Sequence, residues 1–312
     1  MLSASLKLPQ NRNRRGFYIY GPDFFFIPNK YWEVTKEGVE AITVRIRGTE
    51  EAAKLPRQFL APTLREPAES AHELTPRPRH FVLVIPPERL ETFPQGIIDY
   101  VRESERLHEG GVPAKESWDG PKGRWYAFVW KATRDPFGSI VIPEKFRPHQ
   151  RGVAAHYVGQ NESSENQLVV PVSFYTRDSG DAEYNQLIVA WLNSTIGLAF
   201  RFEVRSWLGA ASERMSGAQL DEKLAIPRRD ALSKSDLSRA HALLKSCPRR
   251  LPDFAKQYGT SYPGSWREGL DRFCLELCSV PETKVESTLD GCITVVLSWI
   301  RSSMGDPSWS PG

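Results

Sequence analysis

The stretch that most constrains the fold of this chain is YNQLIVAWLNSTIGLAFRFEVR, residues 184–205. Apolar residues recur in it at intervals of three and four positions, which is the pattern of an amphipathic helix. Asn193, Ser194 and Thr195 interrupt that pattern at its middle. Such side chains compete for backbone hydrogen bonds and disfavour a helix interior. The stretch therefore predicts helical structure that must accommodate a polar break.

Two explanations of this break are open. Asn193 and Ser194 can pair with backbone groups of a neighbouring loop, because buried polar groups need hydrogen-bond partners. Alternatively, Asn193, Ser194 and Gly197 mark a kink or a junction between two short helices.

Composition places the chain among soluble globular proteins. Its 312 residues suffice for one large domain or two smaller ones, and 40% are hydrophobic and 25% charged. The formal net charge is only +3, so the whole-chain charge does not indicate a polyanionic partner. No apolar run approaches the roughly 20 residues that cross a bilayer, and the N-terminus lacks the apolar core of a signal peptide. We therefore expect a cytoplasmic protein without a membrane partner.

Strand and helix patterns divide the chain into two parts. Residues 93–110 and the segments after residue 232 have helical periodicity, whereas several short, β-rich runs punctuated by proline or glycine predict strands. These runs are residues 24–27, 41–47, 80–87, 123–132, 138–143 and 168–177. The sequence thus predicts a mixed α+β fold, with an α/β body at 1–231 and a mainly helical section at 232–312.

Recognisable catalytic and metal-binding motifs are missing from the sequence. It contains no glycine-rich phosphate loop, no nucleophile elbow and no HExxH, and its six histidines are scattered. Cys274 and Cys278 have a spacing that could hold two metal ligands, but no second Cys/His pair accompanies them. We therefore predict buried core thiols, no metal site and no catalytic residue.

Several motifs follow one another in a characteristic order. They are LPRQFLAPTLREP, HFVLVIPPERL, IIDYVRESERL, GRWYAFVW, SIVIPEKFR, NQLIVAWLNSTIGLAFRF and LGAASERMSGAQLDEKLAIP. The series resembles the C-terminal target-recognition region of adenine-N6 DNA methyltransferases of the TaqI-like and restriction-modification kind. The resemblance covers residues 20–300, and the order of WY, IPEKF, WLNS and AIP carries it.

The resemblance implies the DNA-reading half of such an enzyme. The family's catalytic domain carries a cofactor loop and an Asn/Asp-Pro-Pro-aromatic tetrapeptide, whereas residues 85–88 here are Ile-Pro-Pro-Glu. The chain is then a specificity subunit or a truncated product of a restriction-modification or related phage-defence system, not catalytic by itself. Its implied partners are double-stranded DNA and a catalytic methyltransferase subunit or domain. S-adenosylmethionine is expected in that partner, and no cofactor in this chain.

Candidate DNA contacts follow from side-chain chemistry. Arginine suits phosphates and guanine, and Asn or Gln suits adenine. Arg12, Arg14 and Arg15 either track phosphates as a flexible arm or are simply solvated, and Trp125 and Tyr126 are expected in the core rather than against bases. The candidate contacts are Lys122, Arg124, Lys131, Arg134, Lys145, Arg147, Gln150, Arg151, Asn193, Arg205 and Arg214.

Three other functions remain open. Apolar positions of the last helix either dock on a partner protein or pack on the chain's own body; examples are Leu289, Ile293, Val296, Leu297 and Ile300. Dispersed acidic residues would allow a nuclease or another enzyme. A defective remnant would expose apolar surface where a catalytic domain once packed.

Overall fold

The computed structural model describes residues 6–7, 14–18, 22–108, 115, 120, 123–133, 137–159, 168–204, 206–207, 213–216, 219–220, 223–258 and 265–304. The predicted α+β class is confirmed. The α-helices are α1 (Pro22–Phe25), α2 (Gln95–Leu107), α3 (Phe128–Ala132), α4 (Ala182–Asn193), α5 (Thr195–Val204), α6 (Lys234–Lys245), α7 (Phe254–Gln257), α8 (Trp266–Leu277) and α9 (Glu282–Ser303).

The strands are short. They are β1 (Leu6–Lys7), β2 (Arg14–Arg15), β3 (Phe26–Ile27), β4 (Trp32–Glu37), β5 (Ala41–Ile46), β6 (Ala52–Pro56), β7 (Leu60–Thr63), β8 (His80–Leu83), β9 (Ile140–Pro143), β10 (Lys145–Phe146), β11 (His156–Tyr157), β12 (Phe174–Arg177), β13 (Ser206–Trp207), β14 (Glu213–Arg214) and β15 (Ile226–Pro227). Within the described residues they pair in the orders β4-β5-β6, β3-β8-β7, β11-β9-β12-β2, β10-β14-β13 and β1-β15. Each of these strand pairs is antiparallel.

A first group of buried side chains, the N-terminal core, joins β3 to β8 with α2 and α3. Strand β5 alternates buried and half-buried residues, as the sequence pattern predicts for a sheet with one covered side. Helix α2 turns Ile97, Tyr100 and Val101 into this core. Trp125 and Tyr126 are also buried there, as predicted.

One strand prediction was wrong and another was wrong in part. Residues 123–132 form a 3₁₀ turn at Trp125–Ala127 followed by α3, not a strand. Residues 24–27 divide between the end of α1 and β3. Both runs are aromatic-rich, and residues 24–27, Trp125–Ala127 and Val129 are buried; a short buried apolar run has no periodicity that separates strand from helix.

A second group, the central core, joins α4 with α6, α8 and α9 and with β9 and β12. Leu289 lies in it, and Val296 and Ile300 are buried in a smaller third core with Phe146, Phe254 and Trp299. The apolar positions of the last helix therefore pack on the chain's own body. The helical section shares its core with α4, and the predicted boundary near residue 231 remains a prediction.

The cysteines behave as core residues. Cys274 and Cys278 are buried in the central core, and burial raises the pKa of the Cys278 thiol to about 11. No group of three or more potential metal ligands occurs in the described part of the chain. Among the described helices, none is by itself long and apolar enough to cross a membrane.

Candidate nucleic-acid interface

The polar break in the 184–205 stretch separates two helices. Helix α4 ends at Asn193 and α5 begins at Thr195, with a bend of 74° between them. The Ser194 hydroxyl donates to the Trp191 carbonyl at 2.7 Å and accepts from the Gly197 N–H at 3.0 Å. A side chain at Gly197 would place its Cβ 2.1 Å from the Trp191 carbonyl oxygen, so the bend requires glycine there.

Asn193 binds a neighbouring segment across this break. Its Oδ1 accepts from the Ala154 N–H at 2.7 Å, and its Nδ2 donates to the carbonyls of Ala155 and Val189, each at 2.8 Å. The side chain is fully buried. Both explanations of the break therefore hold together, and the buried Asn193 amide presents no surface to DNA.

Helix α4 also binds the AIP motif, which follows it in the chain. Trp191 donates its Nε1–H to the Ala225 carbonyl at 2.9 Å, and the Tyr184 hydroxyl donates to the Pro227 carbonyl at 2.6 Å. These two bonds fix β15, the AIP motif, along α4. The WLNS, AIP and IPEKF motifs are far apart in sequence, and they thus form one packed unit through α4, β15 and the segment that follows β10.

Arg151 lies inside this unit rather than on its surface. Its guanidinium donates to the Pro67 carbonyl at 2.6 Å, to the Val153 carbonyl at 3.2 Å and to Nε2 of His156 at 3.1 Å. Only 4% of the residue is exposed, and burial, together with Arg201, lowers the pKa of Arg151 to about 9. Arg151 therefore remains charged at neutral pH but holds loops together, and no phosphate reaches it in this structure.

His156 accepts this bond as a neutral ring. Its Nδ1 donates to the Glu73 carbonyl at 2.9 Å, which leaves Nε2 as the acceptor for Arg151 and the Ser70 hydroxyl. Burial and the Arg151 charge lower the pKa of His156 to about 3. The Ser70–His156 pair is fully buried and lies against a cation, so it does not form a hydrolytic site.

Exposed cations occur where β9 passes into β10. Residues 144 to 147 alternate between buried and exposed, with Glu144 and Phe146 inside and Lys145 and Arg147 outside. Phe146 anchors the segment in the third core, where it stacks on Trp299 at 5.4 Å and lies under the guanidinium of Arg201 at 4.2 Å. Lys145 and Arg147 have no acidic partner among the described residues. Phe146, the buried residue between them, therefore holds Lys145 and Arg147 at the surface.

Two further cations adjoin them. Arg214 lies directly opposite Lys145 in the β10–β14 pair, and its guanidinium binds Glu144 at 2.6 Å. Arg15 on β2 binds the same carboxylate at 2.7 Å. Gln150 is exposed at the end of the 3₁₀ turn Pro148–Gln150. We call this set the basic face; it consists of Arg15, Lys145, Arg147, Gln150 and Arg214.

The remaining predicted contacts lie elsewhere. Arg124 is half-buried beside the N-terminal core and donates to the Pro87 carbonyl at 2.6 Å. Lys122, Arg134, Arg205 and the side chain of Lys131 lie outside the described residues, as does Arg12. The pair Arg14–Arg15 is not a flexible arm, because it forms β2 and pairs with Tyr175 and Thr176.

The sequence pattern did not identify Glu144 as a site residue, although it is the acidic residue of the IPEKF motif. The sequence feature that could have identified Glu144 is its position between a buried strand and a run of cations, because an acid without a partner would be costly to bury there. Which cations pair with it depends on contacts 129 and 70 residues away along the chain. That information is not present in local sequence.

Comparison with known proteins shows a relationship of fold. No family model matches the sequence, and no curated protein matches it. A type IIG restriction endonuclease, BpuSI, has a similar solved structure, with a TM-score of 0.58 and 12% identity over 80% of this chain and 27% of that one. The chain thus spans about a quarter of that enzyme's length and shares its fold over that part.

Proposed function

We propose that this chain is the DNA target-recognition part of an adenine-N6 DNA methyltransferase from a restriction-modification or related defence system, without catalysis of its own. The observation that carries the proposal is the fold shared with part of a type IIG restriction endonuclease over 80% of this chain. The ordered motifs of the sequence, which resemble the target-recognition region of such methyltransferases, point independently in the same direction.

The basic face supports binding to a duplex. Phosphate contacts provide affinity and position, and base-edge contacts provide sequence discrimination. Lys145 and Arg147 project from a fixed strand end, where they suit phosphates, and the exposed amide of Gln150 suits an adenine edge. A rigid backbone beneath them reduces the entropy lost on binding.

Residues 85–88 do not fit the adenine-binding role that the family assigns to its tetrapeptide. Ile85 is fully buried in the N-terminal core, and the Pro87 carbonyl is occupied by Arg124. No aromatic side chain stands at Glu88 to stack on a base. This disagreement supports a division of labour in which S-adenosylmethionine and methyl transfer belong to a catalytic partner.

The role of this chain is then to make extrusion of the target adenine favourable at one DNA sequence. Moving an adenine out of a duplex costs a few kcal/mol of pairing and stacking. Contacts from this chain would offset that cost at the right site only. Docking of the last helix on a partner receives no support, because Leu289, Val296 and Ile300 are buried in the chain's own cores and Ile293 and Leu297 pack half-buried against them.

A selection from a random duplex library tests the proposal. The purified chain, and separately the complex that it brings down from its host, select duplexes over several rounds, and the products are sequenced. We expect one short motif to be enriched, and N6-methyladenine to form in it only when the co-purified partner is present. No enrichment by either sample, or methylation by the isolated chain, would overturn the proposal.

A further inference from the structure

Two arginines converge on one oxygen atom. Arg15 Nη2 lies 2.7 Å from Glu144 Oε1, and Arg214 reaches the same oxygen with Nη2 at 2.6 Å and with Nε at 2.8 Å. The Glu144 side chain is only 6% exposed, whereas those of Arg15 and Arg214 are 32% and 41% exposed. The carboxylate therefore holds both guanidinium groups from beneath and leaves part of each at the surface.

Each member of this group is fixed by a different part of the fold. Arg15 lies on β2 and also donates from Nη1 to the Tyr18 hydroxyl at 2.7 Å. Arg214 lies on β14, paired to β10. Glu144 lies between β9 and β10, and its backbone N–H donates to the Ser173 carbonyl at 2.9 Å. Little conformational freedom remains to be lost when a ligand binds.

The charges of this group do not cancel. Two guanidinium cations share one carboxylate, and Lys145 stands directly opposite Arg214 without an acidic partner in the described part of the chain. A guanidinium has five N–H donors; Arg15 uses three of them, on Val172, Tyr18 and Glu144, and Arg214 uses two on Glu144, so N–H donors remain on both arginines. The remaining donors suit a dianionic or monoanionic group with several oxygens, and arginine binds phosphate oxygens in a bidentate manner.

We propose that Arg15 and Arg214, held by Glu144, form a preformed binding site for one backbone phosphate of DNA. The inference rests on the proposed function, since it takes duplex DNA as the ligand. It adds that this phosphate is bound by the geometry of two arginine forks and not by local positive charge alone.

A charge-conserving double variant, Arg15→Lys with Arg214→Lys, separates geometry from charge. Lysine keeps each charge but has no planar fork. We expect about tenfold weaker binding to duplex DNA at fixed salt, with an unchanged slope of log affinity against log salt, because the number of neutralised phosphates is conserved. Arg45→Lys with Arg57→Lys, two ion-paired arginines on β5 and directly after β6, is the matched control and should bind as the wild type does.

The outcomes are distinct. Wild-type affinity for duplex DNA retained in the lysine double variant would overturn the phosphate site and leave the proposed function standing. Absence of duplex binding by the wild-type chain, alone and in its complex, would sink the proposed function itself. If the double variant melts at a lower temperature than the wild type, Arg15→Lys alone is measured, and it should still weaken binding severalfold. An equal loss in the control pair would also count against the site.

Discussion

The carboxylate of Asp271 accepts two hydrogen bonds from Thr195, one from its backbone N–H at 2.6 Å and one from its hydroxyl at 2.5 Å. One turn earlier on α8, Arg267 donates to the Asn193 carbonyl at 2.6 Å. An anion thus stands at the N-terminus of α5 and a cation at the C-terminus of α4, which is the favourable arrangement at both helix ends. Helix α8 therefore stabilises the bend between α4 and α5.

Replacement of Asp271 by Asn should destabilise the protein by about 1–3 kcal/mol. The amide can accept only one of the two bonds and removes the charge at the start of α5. The free energy of unfolding from urea titration measures this loss. Asp290→Asn, on the exposed side of α9, is the control and should change it by less than about 0.5 kcal/mol. Equal effects from the two variants would contradict the role given to Asp271.

Replacement of Asn193 by Leu should cost about 2–4 kcal/mol. Leucine has the same number of side-chain heavy atoms and the same branch at Cγ, but it leaves the Ala154 N–H and the Ala155 carbonyl buried without partners. Urea titration again measures the loss, and protection of the Ala154 amide from hydrogen exchange should fall with it. A stable variant with an unchanged exchange rate would show that Asn193 does not bind this loop.

The helices were the most predictable part of this fold. Residues 93–110 and the segments after residue 232 carry clear periodicity and start signals, such as the Ser233–Asp236 capping box. The strand predicted at 123–132 is wrong because Trp125–Ala127 and Val129 are buried in succession, which hides the helical period. A local sequence pattern predicts an amphipathic helix or strand well, but it predicts a short, fully buried element poorly.

The candidate site was predictable only in part. Lys145 and Arg147 were found as a run of cations beside proline, and the structure places both at the surface. Arg151 belongs to the same run, but its guanidinium is buried on the carbonyls of Pro67 and Val153. Whether a neighbouring cation points to solvent or into the fold depends on such tertiary contacts, which composition does not contain.

The stability of the protein should fall below pH 6.5 partly because of His156. In the unfolded chain a histidine has a pKa of about 6.5, whereas burial and Arg151 lower the pKa of folded His156 to about 3. Between these values the unfolded state binds the proton and the folded state does not, so the free energy of unfolding decreases as the pH falls, by up to about 1.4 kcal/mol per pH unit.

His156→Gln should flatten this dependence, although it lowers stability at neutral pH. Urea titrations at pH 7, 6, 5 and 4 give the difference between the two proteins, which should narrow as the pH falls. His241→Gln, at an exposed histidine on α6, is the control and should keep the wild-type slope. A difference between wild type and His156→Gln that is constant with pH would be inconsistent with a neutral buried imidazole.

The four thiols should resist alkylation in the folded protein. Burial raises the pKa of Cys278 to about 11 and that of Cys247 to about 12, and it also raises the pKa values of Cys274 and Cys292. At Cys278 the reactive thiolate is therefore scarcer than in a free cysteine by about two orders of magnitude. Iodoacetamide at pH 8 followed by peptide mass spectrometry should find slow labelling in buffer and complete labelling in urea. Rapid labelling of Cys274 in buffer would contradict its place in the core.

The salt dependence of duplex binding tests the central claim most directly. Fluorescence anisotropy of a labelled duplex, selected as described above, is measured between 50 and 200 mM salt for the wild type and for Lys145→Ala with Arg147→Ala. Two lost phosphate contacts should reduce the slope of log affinity against log salt by about 1.8, at about 0.9 each. Lys36→Ala with Lys54→Ala removes two exposed cations that flank Thr43 across another sheet, and it should leave the slope unchanged. An unchanged affinity and slope in the Lys145/Arg147 variant would show that the basic face does not bind DNA.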